Sequence, residues 1–382
     1  MDILRYLFWI FLAVIAYVYI GYPLLVFLLS KIFSKEVRKA PFEPTVSILI
    51  SAYNEAEHIG ITLENKLALD YPGDKMEILV ISDGSTDGTD DVVGQYSERG
   101  VRFFREEPRR GKTAALNFAV PQATGEILVF SDANSIYERG AVRNLVKNFS
   151  DPKVGYVTGK MIYANPDGTV SGEGCSTYMK YENFIRRCET RVGSIVGVDG
   201  GIDAVRRSLY QPMRPDLLPD FVLPLRVVEQ GFRVVYEPEA ILREEALASS
   251  ADEYRMRVRV SLRAFWALHE MKQLLNVFAH GFYSIQLGSH KILRYLAFVF
   301  VGIVYMLNLG LLVDGPLYQA LFALQTLFYI CSALGYYTQR RGKGPRLLGV
   351  PFYFILVNVA SAHAFLKFLK GTRQAVWSPR TG

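Results

Sequence analysis

Three short apolar runs in this chain each end at a polar residue able to do chemistry. Asn54-Glu55 follows Val46–Ala52, Asp83 follows residues 78–82, and Asp132 follows residues 127–131; a fourth acidic residue, Asp220, lies further on. Apolar runs of this length, separated by stretches with helical spacing, predict parallel strands in βαβ units. Side chains just past such strands stand on the carboxyl edge of the sheet, where open α/β sheets bind ligands. A cleft lined by carboxylates on that edge suits a nucleotide diphosphate accompanied by a metal ion.

The elements needed to position those residues can be read in order. Strands are predicted over 46–51, 76–81, 101–104 and 127–130. Between and after them, helices are predicted over 59–69 (from the spacing of Ile59, Leu63 and Leu67), 89–98, 113–120 and 139–149. This alternation is that of a doubly wound, Rossmann-like α/β domain with a mainly parallel sheet. From 154 to 238 the periodicity is less regular, with helical stretches near 178–191 and 221–230. That second half is expected to carry the acceptor side of the cleft.

Half of the 382 residues are hydrophobic, and much of this content gathers at the two ends. Residues 7–29 carry no charge, about the length that crosses a bilayer. No small-residue cleavage site follows, so a retained anchor is expected and not a signal peptide. Uncharged stretches over 295–313, 317–338 and 347–366 are too apolar for amphipathic helices. Asp314-Gly315-Pro316 separates the first two as a turn.

Basic residues set the orientation. Lys31, Lys35, Arg38 and Lys39 follow the first span, Lys291 and Arg294 precede the second, and Arg340, Arg341, Lys343 and Arg346 separate the last two. The positive-inside rule then makes the chain multi-pass in the inner, cytoplasmic membrane, with its central domain in the cytoplasm. If the last segment crosses, however, Lys370, Arg373 and Arg380 end outside. Either that tail is an exception, or one C-terminal segment is re-entrant or interfacial. The net charge of +6 belongs largely to these clusters and fits anionic lipid headgroups, not nucleic acid. Cys175, Cys188 and Cys331 lack metal-ligand spacing and are expected as free thiols.

Two look-alike motifs are set aside. Gly111-Lys112-Thr113 resembles the end of a phosphate-binding loop, but the required first glycine is Glu106. The stretch from Asp83 to Asp91 imitates a calcium-binding loop, yet its twelfth position is Gly94 instead of glutamate.

The remaining motifs stand in one order. They are Tyr53-Asn54-Glu55-Ala56-Glu57, residues 81–89, Gly111-Lys112, Ser131-Asp132-Ala133-Asn134, residues 198–207 and residues 220–225. Over about residues 45–270 they resemble the family 2 inverting glycosyltransferases. The layout, one span before and several after, resembles the branch of cellulose, chitin, hyaluronan and poly-N-acetylglucosamine synthases. The resemblance implies a GT-A fold with a mixed, mainly parallel sheet, flanked by transmembrane helices. It divides the chain into an anchor (1–32), a cytoplasmic catalytic domain (45–250), amphipathic interfacial helices (251–291), transmembrane helices (292–370) and a tail (371–382).

The same resemblance implies roles. Asp83 would bond the nucleobase, a uracil, with Glu55 and the backbone around Tyr53 and Asn54. Lys112 would meet the diphosphate as a point charge. Asp132 and Asn134 would hold Mg²⁺ or Mn²⁺, with an amide in place of the usual second carboxylate. Asp220 matches the catalytic base, although helix N-capping would also explain an aspartate there. Gly200 and Gly201 would let backbone approach the acceptor sugar. The Q-x-x-R-W signature of polymerising members is missing, and Arg263, on the nucleotide-sugar side, and Trp266, on the acceptor side, would stand in for it. Arg255, Arg259 and Arg263 share one helical face and would grip either the diphosphate or lipid headgroups.

The expected function is sugar transfer from a nucleotide sugar, a UDP-hexose or UDP-N-acetylhexosamine, to a saccharide or lipid-linked acceptor at the bilayer, in exopolysaccharide or envelope synthesis. Envelope-export partners are compatible with that role. The alternatives are a single-sugar transferase acting on polyprenyl phosphate and a non-catalytic nucleotide sensor.

Overall fold

The computed structural model describes residues 2–164, 170–245, 250–339 and 345–376. Its strands are β1 (Val46–Ala52), β2 (Met76–Asp83), β3 (Val101–Glu106), β4 (Ile127–Asp132), β5 (Ile136–Tyr137), β6 (Val154–Ala164), β7 (Ile202–Arg206) and β8 (Arg233–Glu245). They form one sheet in the order β3-β2-β1-β4-β7-β6-β8-β5. β1 to β4 run parallel, and β7 joins antiparallel to both β4 and β6. The direction of winding therefore reverses beside β1, between β2 and β4, and such a switch point opens a crevice at the carboxyl ends.

Helices cover both faces of the sheet, which is why the central strands read as unbroken apolar runs. Ile48 and Ile50 of β1 join Val80 and Val129 in one core layer. Leu49 joins Leu79, Ile81 and Leu128 in the other. The irregular second half has a local cause. β6 shifts register against β8 at Val154/Tyr156 and again at Thr158/Lys160. Gly155 and Gly159 sit beside those shifts, where an added Cβ would stand 2.6 Å from Leu209 Cδ1 and 2.5 Å from the Ala240 carbonyl. Bulges and glycines enforced by close approach break the alternation that marks a strand.

Among the described residues, three helical stretches are long and apolar enough to cross a membrane: Asp2–Ile32, Pro316–Gln339 and Arg346–Leu369. The continuous segment expected over 295–313 is broken. Phe282–Tyr295 and Ala297–Gly310 meet at 59° and make a fourth span only if taken as a pair. The turn before Pro316 is tied to the N-terminal helix, since Arg5 Nε donates to Asp314 Oδ2 at 2.9 Å. Helix Ser250–Glu270, within the region expected to lie along a membrane surface, buries Val258, Leu262 and Phe265 against Ala360 and Ala364 of Gly349–Leu369. The basic positions 340, 341, 343 and 380 lie outside the described residues.

Candidate active site

The loops after β1 and β2 are fastened to each other. Asn54 takes a positive φ of 53°, a conformation asparagine tolerates better than most residues. Its backbone N–H donates to Ser85 Oγ (3.2 Å), and its Oδ1 accepts from the Thr86 N–H (2.9 Å). The Glu55 N–H donates to Thr89 Oγ1 at 2.8 Å. Asp87 accepts from the Ala56 and Thr89 N–H groups, both at 3.0 Å. The acidic spacing that imitates a calcium loop thus serves to pin two turns together.

Next, the segment Arg110-Gly111-Lys112 gathers the three acidic residues. Asp83, at the end of β2 and 1% exposed, accepts from the Arg110 and Gly111 N–H groups, each at 2.7 Å. Lys112 Nζ then donates to Asp132 Oδ1 at 2.6 Å and lies 3.6 Å from Asp220 Oδ1 and 3.4 Å from the Gly200 carbonyl. Burial works against the Lys112 charge, but Asp132 and Asp220 outweigh it and hold the ammonium above the ordinary lysine range. The 132–135 turn is fixed from behind: Thr62 Oγ1 donates to the Ala133 carbonyl (2.7 Å) and buried Lys66 to that of Ser135 (2.6 Å).

Asp220 occupies the first turn of helix Pro219–Glu229, but the N-cap is Leu218, without a side-chain bond. The aspartate is not spent on capping; its carboxylate points at Lys112 and Gly200. Gly200 is required twice over. Its φ is +87°, and an added Cβ would stand 2.5 Å from Asp220 Oδ2. Gly201 has a different neighbourhood, packing on the side chains of Leu242 in β8 and Met161 in β6. Burial raises the Asp220 pKa, Lys112 opposes the rise, and Asp132 adds to it.

Arg263 and Trp266 leave the open cleft. Arg263 is buried and donates to Thr113 Oγ1 (2.9 Å) and to the carbonyls of Pro215 (3.2 Å) and Leu217. It braces the loop before Asp220, whereas Arg255 on the same helix pairs with Asp252 at the surface. Trp266 Nε1 donates to the Thr372 carbonyl at 2.8 Å, and the Arg373 guanidinium lies 4.0 Å from the centroid of its ring. Trp266 therefore holds the tail. That tail crosses the site, with the Ala375 carbonyl against Gly111 where a Cβ would project.

Sequence reading missed Arg109, whose guanidinium lies 3.3 Å from the centroid of the Tyr53 ring and 3.8 Å from Asp83. It also missed Asp203 on β7, 1% exposed, with neither carboxylate oxygen hydrogen-bonded. Burial, reinforced by Asp220, pushes Asp203 up to about 8. A carboxylate between Ile202 and Ala204-Val205 was the available signal, since isolated charges are costly in buried strands.

A metal ion would find few protein ligands here. Among the described residues, no three His, Cys, Asp or Glu side chains cluster to hold one. Asp132 is 36% exposed at its side chain, and Asn134 is half-buried nearby. One carboxylate and one amide fit an ion that takes its other ligands from substrate phosphates and water, as Mg²⁺ sites commonly do.

A parallel half-sheet continued by a mixed half, with acidic residues at the switch point, is the GT-A architecture. The mannosyltransferase of Pyrobaculum calidifontis, solved with GDP-mannose and Mn²⁺, shares this fold. Its TM-score is 0.70 at 23% identity, covering 93% of this chain and 99% of that one. Residues 47–211 match the family "Glycosyl transferase family 2". Relatives include the poly-beta-1,6-N-acetyl-D-glucosamine synthases of Staphylococcus aureus strain COL (29% identical over 241 residues) and Staphylococcus epidermidis (27% over 242). Each match covers 60% of this chain and 58% of the relative.

Proposed function

We propose that the chain is a membrane-bound inverting glycosyltransferase that moves a hexose or N-acetylhexosamine from a nucleotide diphosphate sugar to a saccharide or lipid-linked acceptor. The observation that carries this reading is the gathering of Asp83, Asp132 and Asp220 by three consecutive residues, 110–112. Asp83 and Tyr53 bound the nucleobase side, Lys112 the diphosphate, and Asp220 the acceptor. Inversion is a single displacement: the acceptor oxygen attacks the anomeric carbon as the diphosphate leaves, and its proton goes to Asp220. A carboxylate whose pKa is raised by burial is a stronger base for that transfer. An arriving diphosphate competes for Lys112 and releases Asp220 from its cation.

A divalent cation, Mg²⁺ or Mn²⁺, belongs to the same reading, held by Asp132 and Asn134 together with the diphosphate. Bound there, it supplies neutralisation of charge on the leaving group. The names of the relatives support an N-acetylhexosamine as the sugar, and the mannosyltransferase that shares the fold, solved with GDP-mannose and Mn²⁺, supports a nucleotide diphosphate sugar with a divalent ion. The apolar helices and their flanking lysines and arginines support the inner membrane, with the domain cytoplasmic.

The test is a panel of radiolabelled UDP- and GDP-sugars offered to the purified full chain in lipid, with and without chelator. The reading expects one donor class to be consumed, metal-dependently, with label entering a saccharide or lipid product. No turnover with any donor would favour the nucleotide sensor.

A further inference from the structure

The turn carrying Asp132 and Asn134 is gripped from behind by one face of helix Ala56–Leu67. Thr62 and Lys66 lie four residues apart and Asn65 three from Thr62, so the three share that face. Thr62 Oγ1 donates to the Ala133 carbonyl at 2.7 Å, and Lys66 Nζ donates to the Ser135 carbonyl at 2.6 Å. The gripped residues, 133 and 135, alternate with the proposed ion ligands, 132 and 134. Beyond them, Asn65 holds the backbone of Tyr137 from both sides. Its Oδ1 accepts the Tyr137 N–H at 2.8 Å, and its Nδ2 donates to the Tyr137 carbonyl at 2.9 Å. The helix has 12 residues, about 18 Å of rise, and it begins at the Asn54-Glu55 loop. One rod therefore joins the nucleobase side of the cleft to its ion side.

Lys66 is the member of this set that packing alone does not explain. It continues the buried stripe of Ile59 and Leu63 at i, i+4 and i+7, where an apolar residue is the rule, and it is 0% exposed. A buried polar group is costly unless its hydrogen bonds are made. Here they are: besides Ser135, Nζ donates to Asn65 Oδ1 at 3.1 Å and lies 3.6 Å from the centroid of the Tyr137 ring. That ring is itself fixed. The Tyr137 hydroxyl lies 2.9 Å from the Phe130 carbonyl and 2.8 Å from that of Gly201, next to the glycine that touches Asp220. The Ser135 hydroxyl, also buried, finds no hydrogen-bond partner among the described residues. Ser135 is thus tied to the helix through its carbonyl, and Lys66 is the tie.

We propose that Lys66 is a positioning residue for the donor's diphosphate and its divalent ion. It locks the 132–137 turn onto the helix that begins at the nucleobase loop, so that Asp132 and Asn134 keep a fixed reach from Asp83. This rests on the donor reading above and adds to it a residue that acts only through the backbone of its neighbours. Groups behind metal ligands set the orientation of those ligands, and their loss is felt in metal affinity.

The experiment reads binding and not turnover. Mn²⁺ is titrated into the full chain in phosphatidylcholine nanodiscs, with and without UDP or GDP, and free Mn²⁺ is followed by electron paramagnetic resonance. The parent should show one Mn²⁺ site that nucleotide tightens. Lys66→Met, which keeps the length of the side chain without a donor, should weaken Mn²⁺ by about tenfold or more, the usual cost of removing support behind a metal ligand. Nucleotide affinity without the ion should stay near that of the parent. Thr62→Val removes the parallel bond to Ala133 and should also weaken Mn²⁺, whereas Thr62→Ser should retain it. A Lys66 that serves stability alone would lower the melting temperature and leave the Mn²⁺ affinity of the folded protein unchanged, and that result overturns the proposal. Should Lys66→Met fail to fold, the Thr62 pair decides: equal Mn²⁺ affinity in Thr62→Val and Thr62→Ser overturns it. Absence of a nucleotide-linked Mn²⁺ site in the parent would fail the donor reading itself. A parental site that Lys66→Met leaves intact would fail this proposal alone.

Discussion

The donor cleft and a membrane-side cavity of about 70 Å³ lie on either side of the 197–201 loop, and their electrostatics are opposite. In the cleft one cation, Lys112, faces two carboxylates, Asp132 and Asp220. In the cavity Arg257, Lys291 and Arg294 face the open space, and the carboxylates that hold the two arginines stand outside it. The first site is short of positive charge and suits an anion that brings its own metal. The second carries the positive charge that basic residues flanking apolar stretches supply. One short loop thus separates charge arranged for a leaving diphosphate from charge arranged along apolar helices.

The widest separation between the two regions comes from Asp220→Asn. Turnover should fall by about 10²- to 10⁴-fold, the usual contribution of a general base, while donor affinity in equilibrium titration stays near that of the parent. Lys112→Met should come next, with a loss of about 10²-fold or more through missing charge stabilisation of the leaving diphosphate. Here donor affinity should fall as well, which tells the two variants apart.

Gly200→Ala tests the wall between the regions. A non-glycine residue at φ +87° meets both backbone strain and Asp220 Oδ2, and strain of this kind costs about 1–3 kcal/mol. Thermal unfolding should show that loss, and turnover should drop because Asp220 is displaced.

Asp203 gives a pH signature. Its pKa is about 8 in the fold against an ordinary 3.8. Below the ordinary value it is protonated in both states. Between the two values the unfolded chain releases the proton and the folded chain keeps it, so stability falls as pH rises towards 8. Asp203→Asn removes this term. The melting temperature of the parent should therefore decline relative to the variant from pH 5 to 8, and equal slopes would contradict a buried neutral carboxyl. Arg373→Ala should have the smallest effect, below about 1 kcal/mol for an exposed ion pair. Arg373 also donates to Asp216 Oδ2 at 2.5 Å, and faster proteolysis of the tail would show that Trp266 and Asp216 hold it through this residue.

How legible these regions were in the sequence follows from their physics. β1 to β4 are apolar because helices bury both their faces, and their ends carry the polar motifs, so the position of the cleft could be read directly. Lys112 and Asp220 could be named from motif, but their pairing could not, because 108 residues separate two groups that meet only in three dimensions. β6 and β8 escaped notice because Gly155 and Gly159 and two register shifts interrupt their alternation. Arg263 and Trp266 were legible as a substitute signature, yet burial of one and the grip of the other on Thr372 depend on how helix Ser250–Glu270 packs. The cationic cavity draws on five separate segments, and in sequence Lys291 and Arg294 read only as flanking charges.

The account rests on residues 110–112 holding the donor where Asp83, Asp132 and Asp220 converge. An experimental structure of the full chain with its nucleotide sugar and a divalent ion tests this most directly. The account predicts the base beside Tyr53 and Asp83, the diphosphate within hydrogen-bonding reach of Lys112 and joined to Asp132 through the ion, and the sugar facing Asp220. A nucleotide sugar bound away from these residues, or one whose anomeric carbon is shut off from Asp220, would contradict it.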